Sequence, residues 1–592
     1  ASPYATYLGV RMTSESVTAA DETVPEDPTG PDAAADSAKP GFQERVSGAW
    51  RRQLHRYAFG GMIGAVVFLW LAATPSLLPR GPLFQGLVGG GSAAIGYGVV
   101  VFFTWLARYL VSRDEPWPRP PRRAWLVLAA IAVVGTVAML FWFNHWQNEI
   151  RDLMGVERLD WTVIPIVALV TLITFVLLMS IGQAWGAGVR WLSRWLTRYV
   201  PPRISAATAA LVVVLVTFFA LNGVIANYGM KALNSSFAAA NDETKPDSVA
   251  PTSSLRSGGP GSLVTWESLG REGRVFISKG PTQAELTAFN GAPAVEPIRV
   301  YAGLESTDSV KENAQLVADE LERTGGLKRA VVAVGSTTGS GWVNKGTVDS
   351  LEYMYNGNTA IAAMQYSYLP SWLSFLVDKE RARQAGLALF EAISDRVQEM
   401  PEQSRPKLVV FGESLGSFAG EAPFGTIPDI AARTDGALFS GPTFNNTLWN
   451  DTTRQRDAGS PQVMPIYEDG EKVRFIADET DLGRPATEWE AKRIVYLQHA
   501  SDPITWWSPR LILNKPDWLS EPRGRDVLGS MQWIPFVTFL QVSADMAVST
   551  GVPDGHGHDY LSAIPYAWSK ILNPPGWTDA KTQALLPYLS RD

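Results

Sequence analysis

The 592-residue chain contains no cysteine. That excludes disulfides, Cys-ligated zinc and a cysteine nucleophile. Histidine is nearly as scarce: His55, His145, His499, His556 and His558 are all there are. Any chemistry that needs an imidazole base must draw on that short set. Charge is sparse as well. Charged residues make up 18% of the chain against 46% hydrophobic, a low charged share for a soluble protein, which points to a membrane portion. The formal net charge of −7 gives nucleic-acid binding no support, and the second half has no basic patch interleaved with aromatics. The length is too great for one core, so two or more domains are expected.

Residues 1–48 are rich in Ala, Asp, Glu, Pro, Ser and Thr without apolar periodicity, and are expected to be a disordered cytoplasmic tail. They lack the basic stretch and apolar core of a signal peptide. A transmembrane domain is expected over 49–235. Its five apolar stretches, at about 57–78, 83–106, 125–143, 162–182 and 206–226, have no charged residue inside them. Each is near the roughly 20 residues that a helix needs to cross a bilayer core. Gly60 and Gly64, and Gly86 and Gly90, have the spacing that lets membrane helices approach closely.

Arginines fix the expected orientation. Arg45, Arg51, Arg52 and Arg56 precede the first span. Arg108, Arg113, Arg119, Arg122 and Arg123 follow the second, and Arg190, Arg194, Arg198 and Arg203 follow the fourth. The alternate loops carry Arg80 alone, then Arg151 and Arg158 among four acidic residues. By the positive-inside rule the N-terminus is cytoplasmic, and an odd number of spans puts the rest of the chain outside. The Trp/Arg mixture over 191–198 suits an interfacial helix. Residues 236–262 read as a polar Pro/Gly/Ser linker.

From 263 to 592 apolar strand-like runs alternate with helical patterns, the sign of a mostly parallel α/β sheet. Strands are expected at 298–301, 330–334, 359–364, 407–411, 437–439 and 493–497. A helix starts at the capping pattern Ser309-x-x-Glu312, and another covers about 379–397. The expected fold is thus multi-domain: a five-span α-helical transmembrane bundle followed by an α/β-hydrolase domain.

The stretch Gly412-Glu413-Ser414-Leu415-Gly416 carries the chemistry. An apolar run precedes it and a small, helix-compatible run follows, which is the context of a nucleophile elbow. There the serine sits on a strained turn, and the N–H of Leu415 can face an oxyanion. A serine hydroxyl needs a base, and the base needs an acid to hold its tautomer; in this fold they follow in the order Ser, Asp or Glu, His. Asp502, in Gln498-His499-Ala500-Ser501-Asp502-Pro503, lies after a strand, where the acid belongs. The base comes from Gly555-His556-Gly557-His558-Asp559-Tyr560. His558, in Gly-x-Gly-His-x-aromatic, resembles the histidine loop of dienelactone-hydrolase-like enzymes; His556, in Gly-His-Gly, resembles that of prolyl-oligopeptidase-like enzymes. His558 is preferred and His556 kept as the alternative. His499 either lines the pocket or is a buried partner of Asp502. The Gly-rich loop 335–342, with Thr337, should give the second oxyanion donor. Trp372, Leu373, Phe375, Trp506, Trp507 and Trp518 are candidates for a lipid-facing pocket. No metal site and no cofactor are expected.

Taken together, Thr74-Pro75-Ser76-Leu77-Leu78-Pro79-Arg80, Gly412–Gly416, His499-x-x-Asp502-Pro503 and Gly555–His558 make the chain from about Arg51 resemble a bacterial, mainly actinobacterial, family. Its members join an N-terminal multi-span membrane domain to a C-terminal α/β-hydrolase domain. The resemblance implies a membrane-bound serine hydrolase of the plasma membrane. An esterase, lipase or acyltransferase is expected, with a lipid or acyl-ester substrate and the bilayer as its partners. The rivals are a non-catalytic envelope scaffold with a degenerate hydrolase fold and a transporter; the latter is disfavoured by spans without interior ionisable residues. In one departure from the general hydrolase pattern, 536–550, ahead of the histidine loop, looks more helical than strand-like.

Overall fold

The computed structural model describes residues 57–111 and 120–589. The expected tail over 1–48 lies outside the described residues, as do Arg45, Arg51, Arg52, Arg56, Arg113 and Arg119. The first part is a bundle of α1 (Phe59–Leu71), α2 (Pro82–Leu110), α3 (Arg122–Leu153), α4 (Ile164–Leu196), α5 (Pro202–Phe219) and α6 (Ala226–Asp242).

Five full-length spans were expected, and the structure corrects that number. Three stretches, Pro82–Arg108, Arg122–Leu153 and Trp161–Leu196, are long and apolar enough to cross a membrane. Phe59–Leu71 and Ile204–Phe219 are apolar but shorter. The cause at the first is local. Pro75 and Pro79 cannot continue a helix, so α1 stops at Leu71 and residues 72–78 leave the bundle as a loop. At the fifth, a π-helical turn over Ala220–Ile225 separates α5 from α6. Of the interfacial helix expected over 191–198, residues 191–196 are the last part of α4, which ends at Leu196. Where α1 crosses α2, a Cβ on Gly64 would lie 2.4 Å from the carbonyl oxygen of Gly96, and the reverse holds equally. Only hydrogen at both positions permits that approach.

The second part is one sheet of β1 (Ile298–Ala302), β2 (Val331–Ser336), β3 (Thr359–Met364), β4 (Lys407–Glu413), β5 (Gly436–Ser440), β6 (Val473–Ile476) and β7 (Arg493–Leu497). The order is β1-β3-β2-β4-β5-β7-β6 and every pairing is parallel. Side chains alternate faces along a strand. Val332, Val334, Leu408 and Val410 therefore enter one core, with Val317 and Leu321 of α7 (Val310–Arg323) and Leu389 and Ile393 of α8 (Lys379–Glu399). Val331, Ala333, Val409 and Phe411 enter the other, against Ile564 and Trp568. Both faces are covered, which is why the strands read as continuous apolar runs. At the start of α7, Ser309 Oγ accepts the Glu312 N–H at 3.2 Å.

The two parts share a core. Leu77 and Leu78, from the loop after α1, and Ile150 and Met154, from the end of α3, belong to the same buried cluster as Val332 and Val410. The stretch expected as a linker is likewise no free tether. Residues 236–242 are the end of α6, and the rest is bonded to the sheet-bearing part. Ser257 N–H donates to Arg299 O at 3.2 Å, Arg256 Nη1 to Lys279 O at 3.0 Å, and Ser262 Oγ to Glu320 Oε1 at 2.5 Å. Its composition is that of a linker because its bonds are polar, not because it lacks them.

Candidate active site

β4 delivers Ser414 on a sharp turn and α9 (Leu415–Glu421) leaves it. Ser414 has φ 56° and ψ −123°, a conformation a non-glycine residue adopts only when its surroundings impose it. Those surroundings are tight. A Cβ on Gly412 would lie 2.2 Å from Gly416 O, and one on Gly416 2.3 Å from Ser336 O. The two glycines of the motif thus let the strand, the helix and the loop after β2 meet at the serine. The Ser414 N–H donates to Ser440 O at 2.9 Å, tying the turn to the end of β5.

Asp502 caps a short helix after β7, with its Oδ1 accepting the Ile504 N–H at 2.8 Å. Its Oδ2 lies 2.7 Å from His558 Nδ1, and also accepts the Tyr560 hydroxyl and Thr505 Oγ1. Nδ1 therefore carries the proton toward Asp502, which leaves Nε2 as the free base. Burial opposes charging of His558, but the carboxylates of Asp502, Glu413 and Asp559 together outweigh it, Asp502 foremost, and raise the imidazole above its ordinary value. Tyr560 is held protonated by its burial and by Asp502. The His558 ring packs on the backbone of Gly441, where a Cβ would lie 2.2 Å from its Cε1. Gly441 directly follows Ser440, the residue whose carbonyl holds the Ser414 amide. The structure thus brings Ser414, Asp502 and His558 to one end of the sheet.

His556 goes elsewhere: its Nδ1 faces Asp526 Oδ2 at 3.8 Å. The His499 side chain does not reach the Asp502 carboxylate. Its ring nitrogens face Gly557 O at 3.0 Å and Ala477 O at 3.2 Å, and it stacks on Tyr560 at 4.4 Å between centroids. His499 therefore braces the histidine loop. As the end-of-chain pattern suggested, a helix precedes that loop: α10 (Val537–Met546). The loop is carried by the Ser549 carbonyl, which accepts the His558 N–H at 2.8 Å.

Leu415, at the start of α9, has an N–H with no acceptor inside the helix. Thr337 adjoins the elbow, its carbonyl carbon 3.4 Å from where a Gly416 Cβ would stand, and its hydroxyl donates to Met364 O at 2.8 Å. Glu413 was named in the motif but given no role. It is partly buried, accepts from Asn344 Nδ2 at 2.6 Å, and its desolvation lifts its carboxyl to about 7. Of the expected lipid-facing aromatics, Trp506 and Trp518 are 3% exposed and stack at 5.7 Å as core, and Leu373 and Phe375 are buried too. Trp507 belongs to a partly buried cluster with Phe375, Phe444 and Phe539. The Trp372 side chain lies outside the described residues. Among the described residues no group of three or more His, Asp or Glu is placed to hold a metal ion.

A family model for an alpha/beta-hydrolase family matches residues 298–585, and one for the N-terminus of an alpha/beta-hydrolase family matches residues 73–281. Residues 298–585 are thus similar to an alpha/beta-hydrolase family, and residues 73–281 to the N-terminal part of one. The N-terminal match begins within the loop that follows α1, and the C-terminal match contains Ser414, Asp502 and His558. No curated protein and no solved structure matches the chain.

Proposed function

We propose that the chain is a membrane-anchored serine hydrolase or acyltransferase acting on an acyl ester, through Ser414, His558 and Asp502. The observation that carries this reading is the His558–Asp502 pair at 2.7 Å, set on Gly441 beside the carbonyl that holds the strained Ser414. Ser414 Oγ attacks the acyl carbonyl while His558 Nε2 takes its proton, and Asp502 stabilises the imidazolium that forms. The Leu415 and Thr337 N–H groups receive the oxyanion. His558 then returns the proton to the leaving alcohol, and water or a second alcohol releases the acyl group. Hydrolysis and transfer share this machinery.

The orientation is part of the proposal. The loops that contact the hydrolase part follow α1 and α3. The arginine-bearing segments around Arg108, Arg122, Arg190 and Arg198 are at the opposite helix ends. The positive-inside rule then puts the catalytic domain outside the plasma membrane, where a lipid or cell-envelope ester reaches it. A fluorophosphonate probe applied to membranes holding the full chain tests the reading. Labelling that Ser414→Ala removes is expected, and labelling that survives the substitution removes Ser414 from the chemistry.

A further inference from the structure

α10 meets the apolar helices at a definite depth. Its Val537 is buried in one cluster with Ala72 and Val88, and Phe68, Leu71 and Leu540 pack around it. Leu540 comes 3.5 Å from where a Cβ on Gly91 of α2 would stand. Positions 537, 540 and 544 share one face of a helix, so α10 lays an apolar side on the bundle. Arg108 is the one charged residue of α2. Counted back from it, the roughly 20 residues that a helix needs to cross the hydrocarbon end near Val88. Val88 and Gly91 therefore stand at the far edge of the hydrocarbon, and so do the α10 residues packed on them.

The chain beside the start of α10 has a surface suited to that level. Phe536 N–H donates to Ile512 O at 2.9 Å and Trp533 Nε1 to Leu511 O at 2.8 Å, which sets residues 511–513 next to α10. Leu513 is 65% exposed, and from residue 263 onward no large apolar side chain among the described residues is more so. Arg510 and Lys515, both exposed, flank it. An apolar tip between two cations fits a bilayer boundary: hydrocarbon takes the tip, and anionic headgroups attract the cations. We propose that the sheet-bearing part rests in the edge of the bilayer at this surface, with Leu513 in hydrocarbon and Arg510 and Lys515 among anionic lipid headgroups. The inference rests on α2 crossing the membrane and not on the chemistry of Ser414. One short segment, residues 503–513, joins this surface to Asp502, with Trp507 on the way.

Spin labels test it on the full chain in nanodiscs of phosphatidylcholine and phosphatidylglycerol. The chain has no cysteine, so Leu513→Cys, Val133→Cys and Ser404→Cys each carry a single label. All three side chains are exposed, so the label meets its surroundings without disturbing a core. Val133 is on the outer face of α3, and Ser404 precedes β4, at the end of the sheet away from Ser414. Oxygen concentrates in hydrocarbon and a nickel chelate in water. The ratio of oxygen to nickel collisions at Leu513 should be several times that at Ser404 and below that at Val133, which lies deeper. Omitting phosphatidylglycerol should lower the ratio at Leu513 and leave Val133 unchanged, and Arg510→Gln with Lys515→Gln should do the same. A ratio at Leu513 equal to that at Ser404, or an immobilised label that neither reagent reaches, as against a protein partner, overturns the proposal. Indifference to phosphatidylglycerol overturns the role of anionic headgroups. A water-like ratio at Val133 would overturn the membrane reading together with it.

Discussion

Asp545 of α10 accepts the backbone N–H of Leu77 at 3.0 Å, across 468 positions of sequence. The same carboxylate accepts Ser76 Oγ at 3.1 Å and faces Arg80 Nε at 3.7 Å. Three residues beyond α10, Ser549 O holds the His558 N–H at 2.8 Å. Leu78 reaches the histidine loop directly, 3.5 Å from where a Gly557 Cβ would be. The loop after α1 is thus built into the support of the candidate base.

Removing one partner of this buried set should cost more than a surface pair would. Asp545→Ala leaves Arg80 buried and uncompensated, a loss of about 3–5 kcal/mol. Thermal unfolding in nanodiscs measures it. A change within the noise of surface substitutions would mean that water or lipid already compensates Arg80.

Ser414→Gly should separate strain from chemistry. Relief of the positive φ is worth about 1–3 kcal/mol and glycine's added entropy costs about 0.5–1, so the variant should be about 1 kcal/mol more stable while losing all probe labelling. Loss of stability in a denaturant titration would show that the turn is not strained.

The two histidines should behave very differently. His558→Ala is expected to lower turnover by several orders of magnitude, as loss of a base does. His556→Ala, which removes only a contact to Asp526, should cost little. The opposite ranking in ester hydrolysis assays would transfer the role to His556.

Glu413 should set the pH dependence. A base works when neutral, so kcat/KM should rise with pH through the raised value of His558. The negative charge of Glu413 is among the causes of that rise, so Glu413→Gln should move the acid limb to lower pH. Stability supplies a second reading. Glu413 is raised to about 7 in the folded chain. Its contribution is therefore fully present below the ordinary carboxylate value of about 4.3 and lost as pH rises through about 7. The variant should lose that decline; an unchanged rate profile and an unchanged stability profile would take Glu413 out of the site's electrostatics.

Sidedness can be measured with thiols, because the chain has none of its own. In sealed cells an impermeant maleimide should label Asp308→Cys, on the exposed surface of the hydrolase domain, and spare Thr197→Cys, at the arginine-rich end of α4. The reverse pattern would invert the topology and move the substrate to the cytoplasm.

What was legible in the sequence follows from locality. β3 was readable to the residue because Thr359–Met364 is apolar on both faces. β4 was readable, though two residues short at its end, because its continuation is a strained turn with a fixed glycine spacing. β6 was missed: four residues, Val473–Ile476, with an arginine among them leave too short a pattern. Residues 72–78 were taken into the first span because Leu77 and Leu78 look equally apolar whether lipid or protein buries them. Tyr560 was visible as an aromatic after the histidine, but only folding shows that its hydroxyl is bonded to Asp502. The docking of 243–262 was hidden for a similar reason, since backbone and arginine hydrogen bonds leave no apolar period.

The bond between Leu77 and Asp545 also has an order in time. The first partner leaves the ribosome 468 residues before the second, on the order of a minute at ordinary synthesis rates. Through that interval Leu77 and Leu78 have no α10 to cover them, and the hydrolase sheet grows without one edge of its core. The first loop and α10 reach their folded state together or not at all, so a truncated product stalled before Asp545 carries an uncapped apolar loop.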